Sequence, residues 1–374
     1  PPAPRAPVAA ALRPVSVCAA GKIGGSKGAS FSMFVHNAWY PAAWDHEIGR
    51  HLFSRMILGQ PVVFYRTEDG RPVAMEDRCP HRQLPLSMGE LQGDRVQCGY
   101  HGLVFGTDGA CVHVPGHKGA PRQARARIWP LVERYGLIWI WPGDPDLADA
   151  AGIIDIPGFD AAGWAVNRGP LMRVGAHYQL MMDNLVDPAH VSFVHKTTLA
   201  SDGGADVPVR VENGQNHVAV SRWILDKPPA PFFARIADFP ANVDRWQVYT
   251  YRPPSTAVID LGSAPVGSGA PDGDRSQAVE MKSYNFVTPE TERSSFYFWF
   301  QVRNFKAEDK ALSERITEQF TTAFNEDTVV LEAIQRALDI DPSEPRVHLP
   351  MDAASSQSRR LVARMLEQER NGAN

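Results

Sequence analysis

Two cysteines and two histidines in the first third of the chain have a spacing that could hold an inorganic cluster. Cys79-Pro80-His81 is followed, after sixteen residues, by Cys98-Gly99-Tyr100-His101. Two loops therefore each offer one thiolate and one imidazole. This set binds a [2Fe–2S] centre in which two cysteines hold one iron and two histidines hold the other, and the neutral imidazoles raise its reduction potential. The motif predicts electron transfer.

A single zinc ion is the alternative reading of these four residues, because two cysteines and two histidines can also form a tetrahedral zinc site. The neighbouring residues favour the cluster. Gly99 and Gly102 would let the second loop approach an inorganic group closely, and Pro80 stiffens the first loop. On spacing alone, a zinc-stabilised binding protein stays open.

A second group of possible ligands lies near the middle of the chain: Asn184, Asp187, His190 and His195. The segment near 178–191 is predicted to be helical, and residues three apart on a helix share a face, as Asp187 and His190 would. His195 lies five residues beyond His190. Both imidazoles could converge if the helix ends or distorts near 192–193.

An aspartate interrupts an apolar stripe in the predicted helix near 308–339. The stripe has helical spacing and consists of Phe320, Phe324, Asp327, Leu331 and Ile334. A buried carboxylate without a partner is costly, so Asp327 needs a cation or strong donors. Two histidines and one carboxylate leave open positions on an iron, as in non-haem Fe(II) oxygenases. The expected ligands are His190, His195 and Asp327.

Composition places the chain among globular proteins with more than one domain. It has 374 residues, 44% hydrophobic and 21% charged, with a net charge of −4 that argues against nucleic acid as a partner. No apolar run reaches the roughly 20 residues needed to span a bilayer. With two of only four cysteines assigned to the cluster, no disulfide framework is needed, and we expect a cytoplasmic location.

Changes in pattern divide the chain into three parts. Residues 1–32 are rich in Pro, Ala, Gly and Ser and lack acidic residues, which predicts a disordered leader or extension. Residues 33–145 show short strands broken by turns and should form an all-β cluster domain. Residues 146–374 should form an antiparallel-sheet-and-helix catalytic domain, making the whole chain α+β. Alternation predicts its strands at 216–225, 245–251, 256–261, 278–287 and 295–303.

From Met33 to its C-terminus the chain resembles the α-subunits of Rieske non-haem iron aromatic oxygenases. More narrowly, it is similar to the oxygenase component of vanillate O-demethylase and to aryl-methyl relatives such as toluenesulfonate methyl-monooxygenases. The segments that carry the resemblance are 98–104, 132–136, 182–185, 244–247, 288–291, 351–354 and 358–360. The chain departs from the family pattern at 83–86, 200–218 and 265–276. We expect these segments to line the substrate cavity, so the resemblance implies the type of reaction but not the natural substrate.

The resemblance implies a terminal oxygenase that O-demethylates a methoxylated, vanillate-like aromatic acid to a phenol and formaldehyde. It implies a Rieske [2Fe–2S] cluster, a mononuclear Fe(II), O2, and NADH-derived electrons from a flavin/iron–sulfur reductase. It also implies a head-to-tail homotrimer in which Asp187 bridges a cluster histidine of one subunit, His81 or His101, and His190 of the next. Asn184 would adjust the open face of the iron.

Besides the zinc-stabilised binding protein, two alternatives accompany this interpretation. A Rieske monooxygenase could instead hydroxylate an aryl methyl or ring carbon, or N-demethylate. A Rieske electron carrier would need only the first domain, so the second domain argues against it. Within the cavity, candidates for contact with a substrate carboxylate or hydroxyl are Arg245, Arg252, Tyr251 and His217.

Overall fold

The computed structural model describes residues 33–196, 198–199, 207–237, 239–342 and 347–372. The predicted leader, 1–32, lies outside the described residues, as does part of the divergent segment 200–218. The chain from Met33 onward forms one compact unit.

Small antiparallel sheets make up the N-terminal part. One contains β1 (Tyr40–Trp44), β10 (Leu137–Ile140) and β9 (Leu131–Arg134), in that order. A second contains β2 (Phe53–Ile57), β3 (Gln60–Arg66) and β4 (Pro72–Glu76). A third contains β5 (Glu90–Gln92), β6 (Arg95–Gln97), β7 (Val104–Phe105) and β8 (Cys111–His113). The predicted all-β character of this part is confirmed.

An eight-stranded antiparallel sheet dominates the C-terminal part. Its main path runs β11 (Ala165–Arg168), β18 (Ser294–Arg303), β17 (Val279–Thr291), β16 (Thr256–Pro265), β15 (Val243–Arg252), β14 (Val218–Lys227) and β13 (Arg210–Asn213). A short strand, β12 (Met172–Val174), also pairs with β18. The five strands predicted from alternation correspond to β14–β18, and the α+β fold class is confirmed.

Helices lie beside this sheet. They are α1 (Tyr178–Leu185), α2 (Val191–Val194), α3 (Pro231–Ala234), α4 (Lys310–Ile340) and α5 (Ala353–Gly372). Short 3₁₀ turns occur at Asp45–Glu47, Leu86–Met88, Pro145–Leu147, Ala150–Gly152, Ala270–Asp272 and Pro350–Asp352. Among the described residues, no helix has both the length and the apolar character to cross a bilayer.

Local sequence explains both ends of helix α4. The carboxylate of Asp309 accepts a hydrogen bond from the N–H of Leu312 at 2.8 Å, which caps the first turn. Pro342, just beyond the end, cannot continue a helix. The predicted stripe is wrong at its last position, because Ile334 is 41% exposed. Gln335 is buried instead, and its side-chain oxygen accepts the N–H of His177 at 2.9 Å.

Strand β18 is buried on both faces, which explains its almost continuous aromatic sequence. Phe296, Phe298, Phe300 and Val302 pack in one apolar cluster on one face, as the alternation predicts. Trp299 points to the other face and packs edge-on against Phe324 of α4. That second cluster also includes Tyr40 and Phe64, so the N-terminal and C-terminal parts share a core. The domain boundary near 145 stays a prediction.

His177 caps the start of α1 and has a low pKa. Its Nδ1 accepts the N–H of Gln179 at 3.3 Å, while its buried Nε2 has no hydrogen-bond partner among the described residues. Burial, with a smaller contribution from the positive charge of Arg359, lowers the pKa of His177 to about 4. The folded protein therefore holds this imidazole neutral.

We expect His177 to make the protein less stable at mildly acidic pH. In the unfolded chain His177 takes up a proton as pH falls below about 6.5, whereas in the folded chain it does so only near 4. The unfolded state is therefore favoured as pH falls between these values, by up to about 3 kcal/mol. His177→Asn, which keeps a capping acceptor, should reduce the loss of unfolding free energy between pH 7.5 and 4.5. Denaturant titration at the two pH values measures this loss. His46→Asn, at an exposed site, is the control and should leave the loss as large as in the parent.

Candidate active site

The four cluster residues of the N-terminal part converge from two loops. The side chains of Cys79 and Cys98 are buried, whereas His81 and His101 are exposed. The two imidazole rings lie with centroids 4.5 Å apart and planes inclined by 62°. Two thiols at the base and two imidazoles at the tip are the donor set of a [2Fe–2S] centre with two histidines on its outer iron.

Both loops are closed by the same backbone hydrogen bonds. In each loop the cysteine N–H donates to the carbonyl five residues on, and the residue four positions on donates back to the cysteine carbonyl. These bonds are Cys79 to Leu84 (2.8 Å), Gln83 to Cys79 (2.8 Å), Cys98 to Leu103 (2.8 Å) and Gly102 to Cys98 (3.1 Å). The residue at the fourth position has a positive φ in both loops, +66° at Gln83 and +71° at Gly102.

The second loop packs closely against the 3₁₀ turn that follows the first loop, and the cysteine pair suits a cation. A Cβ at Gly99 would lie 2.8 Å from the carbonyl oxygen of Met88, so glycine is required there. Burial raises the pKa of the Cys79 thiol, and the adjacent Cys98 raises it further. A metal cation between the two sulfurs would reverse this effect and favour the thiolates.

Asp77 braces the first loop and was not predicted from the sequence. Its buried carboxylate accepts hydrogen bonds from the hydroxyl of Ser54 and from the N–H and hydroxyl of Ser87, each at 2.6 Å. Asp77 precedes Cys79 and Ser87 follows the loop, so these bonds tie its two ends together. An aspartate two residues before the motif was the available signal.

The segment with the second ligand group is not one helix, which corrects the prediction for 178–191. Helix α1 ends at Leu185, and α2 begins only at Val191. Pro188 explains the break, because it lacks an N–H and disfavours the helical conformation of the residue before it. Asp187 and His190 therefore do not share a helix face. A turn joins them, with His190 Nδ1 2.5 Å from the backbone carbonyl of Asp187.

His190, His195 and Asp327 come together at one point. Their ligand atoms all lie within 4.8 Å of one another. Oδ1 of Asp327 is 3.5 Å from Nε2 of His190 and 3.3 Å from Nε2 of His195. Asp327 is 6% exposed, so the carboxylate is buried between two imidazoles. A divalent cation would satisfy all three groups.

Asn184 and Asp187 occupy different positions around this cluster. Asn184 donates a hydrogen bond from its side-chain nitrogen to Oδ1 of Asp327 at 2.9 Å and thereby orients this carboxylate. The carboxylate of Asp187 accepts the N–H of Ala189 at 2.7 Å, and its nearer contact to His190 Nδ1 is 3.9 Å. Within the chain, Nδ1 of His190 is therefore hydrogen-bonded to the backbone carbonyl of Asp187 and not to its carboxylate.

Glu326 orients His195 and was missed by the sequence analysis. Its Oε2 lies 2.8 Å from Nδ1 of His195 and accepts the hydroxyl of Thr198 at 2.7 Å. A carboxylate only accepts, so Nδ1 is the donor and Nε2 faces Asp327. Burial lowers the pKa of His195, but the hydrogen bonds and charges of Asp327 and Glu326 outweigh it and raise the pKa overall. In the sequence, Glu326 resembles an ordinary surface glutamate, and its role follows only from this contact in the folded chain.

A cavity of about 100 Å³ adjoins the His190–His195–Asp327 cluster. Its lining is mainly apolar and aromatic, with side chains from α1, α2, α3, α4 and the sheet. Of the four predicted substrate-contact residues, Arg245 lines this cavity. Arg252 faces a separate groove, and the hydroxyl of Tyr251 donates to the carbonyl of Pro254 at 2.7 Å. His217 is likewise not among the described residues of the lining.

Two family models match the chain in the order that the fold suggests. Residues 38–130 match the Rieske [2Fe-2S] domain, and residues 174–368 match the vanillate O-demethylase oxygenase C-terminal domain. The first match contains both Cys/His loops, and the second contains the His190–His195–Asp327 cluster.

Individual proteins are similar over nearly the full chain. An iron–sulfur subunit of a toluene-4-sulfonate monooxygenase system from Comamonas testosteroni is 41% identical over 91% of this chain and 99% of its own length. A vanillate O-demethylase oxygenase subunit from a Pseudomonas species is 37% identical over 91% of this chain and 97% of its own.

A solved structure shows the same fold. Dicamba monooxygenase bound to dicamba superposes with a TM-score of 0.80 at 34% identity, covering 90% of this chain and 99% of that one. A second structure of that enzyme contains non-haem iron and dicamba and has a TM-score of 0.77. With both domain models matched and these relatives covered almost end to end, the chain belongs to the Rieske non-haem iron oxygenases, as an oxygenase component that uses a [2Fe–2S] cluster and a mononuclear iron.

Proposed function

We propose that this chain is the terminal oxygenase of a Rieske monooxygenase system that O-demethylates a methoxylated aromatic acid. The observation that supports it is the His190–His195–Asp327 cluster, with His195 and Asp327 buried, beside a mainly apolar cavity in a chain that also presents two Cys/His loops. The reaction consumes O2, two electrons and two protons. It converts the aryl methyl ether into a phenol, formaldehyde and water.

Each centre has an assigned set of residues in this proposal. The cluster is held by Cys79, His81, Cys98 and His101, in a domain spanning 33–145, and the mononuclear iron is held by His190, His195 and Asp327, in a domain spanning 146–374. When bound, the cluster supplies single electrons and the iron activates O2. Asn184 holds the Asp327 carboxylate in place, and the apolar walls exclude water that would divert the reaction.

Electron delivery to the iron runs between subunits in this proposal. The chain forms a head-to-tail homotrimer, and a flavin/iron–sulfur reductase supplies electrons from NADH. The side chain of Asp187 is 31% exposed, so its carboxylate can accept a hydrogen bond from His81 or His101 of the neighbouring copy. His190 is already bonded to the Asp187 carbonyl, so one residue would join both centres. Cys79, Cys98 and Cys111 form no disulfide, which suits the reducing cytoplasm that we propose as the location.

Hydroxylation of an aryl methyl group is the second candidate reaction. It is supported by the toluene-4-sulfonate relative, which is 41% identical against 37% for the vanillate relative. Both reactions oxidise a methyl group of an aromatic acid, bonded to the ring through an ether oxygen in one case and directly in the other. They differ in product, because a hydroxylated methyl ether collapses to formaldehyde whereas a hydroxylated methyl group gives a stable alcohol.

An NADH-dependent screen with a heterologous reductase tests the proposal. Methoxybenzoates and toluene-4-sulfonate are offered in parallel, and oxygen uptake, formaldehyde and benzylic alcohol are measured together. Formaldehyde equimolar with NADH from a methoxybenzoate supports O-demethylation. Alcohol from toluene-4-sulfonate without formaldehyde from any ether would transfer the assignment to methyl hydroxylation. Absence of acid-labile sulfide in anaerobically purified protein would reject both.

We expect Glu326→Gln to weaken metal binding while leaving the fold intact. The variant keeps the size of the side chain but removes the carboxylate that accepts from His195 and Thr198. Loss of such an orienting partner typically costs about 10- to 100-fold in metal affinity. Competition between the protein and a chelator for Fe(II) measures it. Glu318→Gln, an exposed position on the same helix, changes the charge equally and should keep full affinity.

A further inference from the structure

The sheet side of the cavity carries side chains that alternate along two neighbouring strands. On β15, Arg245, Gln247 and Tyr249 line the cavity. Their directly paired residues on β16 are Ser263, Leu261 and Ile259, which line it too. Paired side chains on one face of an antiparallel sheet lie next to each other. Arg245 and Ser263 are therefore neighbours in the cavity wall.

This pair is a polar spot in a mainly apolar site. Arg245 is 7% exposed and Ser263 is fully buried. The hydroxyl of Ser263 has no hydrogen-bond partner among the described residues. Buried hydroxyls normally have one, and an orphaned hydroxyl in the wall of a ligand cavity indicates a partner that arrives with the ligand.

Charge identifies the kind of partner. Among the described residues that line the cavity, Arg245 is the one lysine or arginine and Asp327 is the one acidic residue. Asp327 is engaged by Asn184 and lies between the two histidines. A guanidinium has five N–H donors, so Arg245 can keep contacts within the protein and still donate to a ligand oxygen. The described part of the cavity lining thus contains both the metal-binding cluster and a single cationic side chain.

We propose that Arg245 and Ser263 bind the acidic group of the aromatic substrate and thereby hold its methyl group toward the His190–His195–Asp327 cluster. The ligand chemistry is an oxyanion with at least two oxygens, one accepting from the guanidinium and another from the hydroxyl. An aryl carboxylate and an aryl sulfonate both satisfy it. This inference rests on the proposed function, which supplies the aromatic acid, and adds the residues that recognise it.

Binding to the holoenzyme tests this independently of turnover. Calorimetric titration compares 4-methoxybenzoate and toluene-4-sulfonate with the uncharged 4-methoxybenzamide and 4-methyltoluene, for the parent, Arg245→Gln, Ser263→Ala and Arg252→Gln. Arg245→Gln should raise the Kd of both acids by about 10- to 100-fold and leave the neutral compounds unchanged, because a site built around a polar group discriminates by lost pairing. Ser263→Ala should raise the Kd of the acids by about 3- to 10-fold.

Arg252 provides the control variant. Arg252→Gln removes the same charge from the same strand outside this cavity and should leave the preference for acids intact. If Arg245→Gln fails to fold, Ser263→Ala still carries the test. An unchanged acid-to-neutral ratio in Ser263→Ala and Arg245→Gln, or a parent without any preference for acids, overturns the inference. The relative response to carboxylate and sulfonate distinguishes the two sources of the oxyanion. If the proposed function failed while this inference held, the holoenzyme would still bind acids selectively, but the NADH-dependent screen would yield no oxidised product.

Discussion

Replacing Asp327 with alanine is expected to remove the mononuclear iron and abolish turnover while the cluster stays in place. Asp327 is the carboxylate on which His190 and His195 converge, at 3.5 and 3.3 Å. Without it, two neutral imidazoles remain, and they bind a divalent cation far less tightly than a set with an anionic ligand. Iron bound at this site should fall from about one per chain to below about 0.1.

Metal analysis combined with visible absorbance separates the two centres in this variant. Acid-labile sulfide and the cluster absorbance should match those of the parent, because Cys79 and Cys98 belong to a different part of the fold. Glu318→Ala on the exposed side of α4 is the matched control and should keep both metals. Full iron content and unchanged product formation in Asp327→Ala would contradict the assigned ligand set.

Asp327 could be recognised from the sequence, whereas its neighbour Glu326 could not. A carboxylate inside the apolar stripe of Phe320 and Phe324 violates helical patterning, and such violations mark functional positions. Glu326 breaks no pattern, since the position just before Asp327 lies off the apolar stripe and is expected to be polar. Its role depends on a hydrogen bond to His195, 131 residues away in the chain, and only the folded structure supplies that contact.

The cluster loops were predictable because their signal is local, whereas the cavity wall was not. Cys79, His81, Cys98 and His101 lie within short motifs whose spacing alone suggests the chemistry. Arg245 was one of four equal candidates in the sequence. It is distinguished by strand register, because pairing with Ser263 places it in the cavity, and register depends on turns and pairing across the whole sheet.

The break between α1 and α2 could have been predicted and was not. Pro188 is a strong local signal, but the three-residue spacing of Asp187 and His190 suggested a shared helix face. The turn produced by the break has a consequence for function. It engages the Asp187 carbonyl with His190 and leaves the carboxylate partly exposed, where a second subunit could reach it.

Asp187→Asn is therefore expected to leave both metals bound and to lower product formation by about 100-fold. The substitution preserves the backbone carbonyl that accepts from His190 and an oxygen that can accept from Ala189, so the local turn should persist. It removes the negative charge and the second acceptor oxygen. An amide nitrogen cannot accept a hydrogen bond from a cluster imidazole, so the proposed link between subunits is lost.

A single-turnover experiment identifies the step that fails. The enzyme is reduced beforehand and mixed with substrate and O2, and reoxidation of the cluster is followed by its absorbance. In Asp187→Asn the cluster should be reduced by the reductase at the parent rate and then remain reduced, because its electron does not reach the iron. Asp160→Asn, at another exposed aspartate, should behave like the parent. Parent-like reoxidation and product yield in Asp187→Asn would show that electrons reach the iron by a route that does not need this carboxylate.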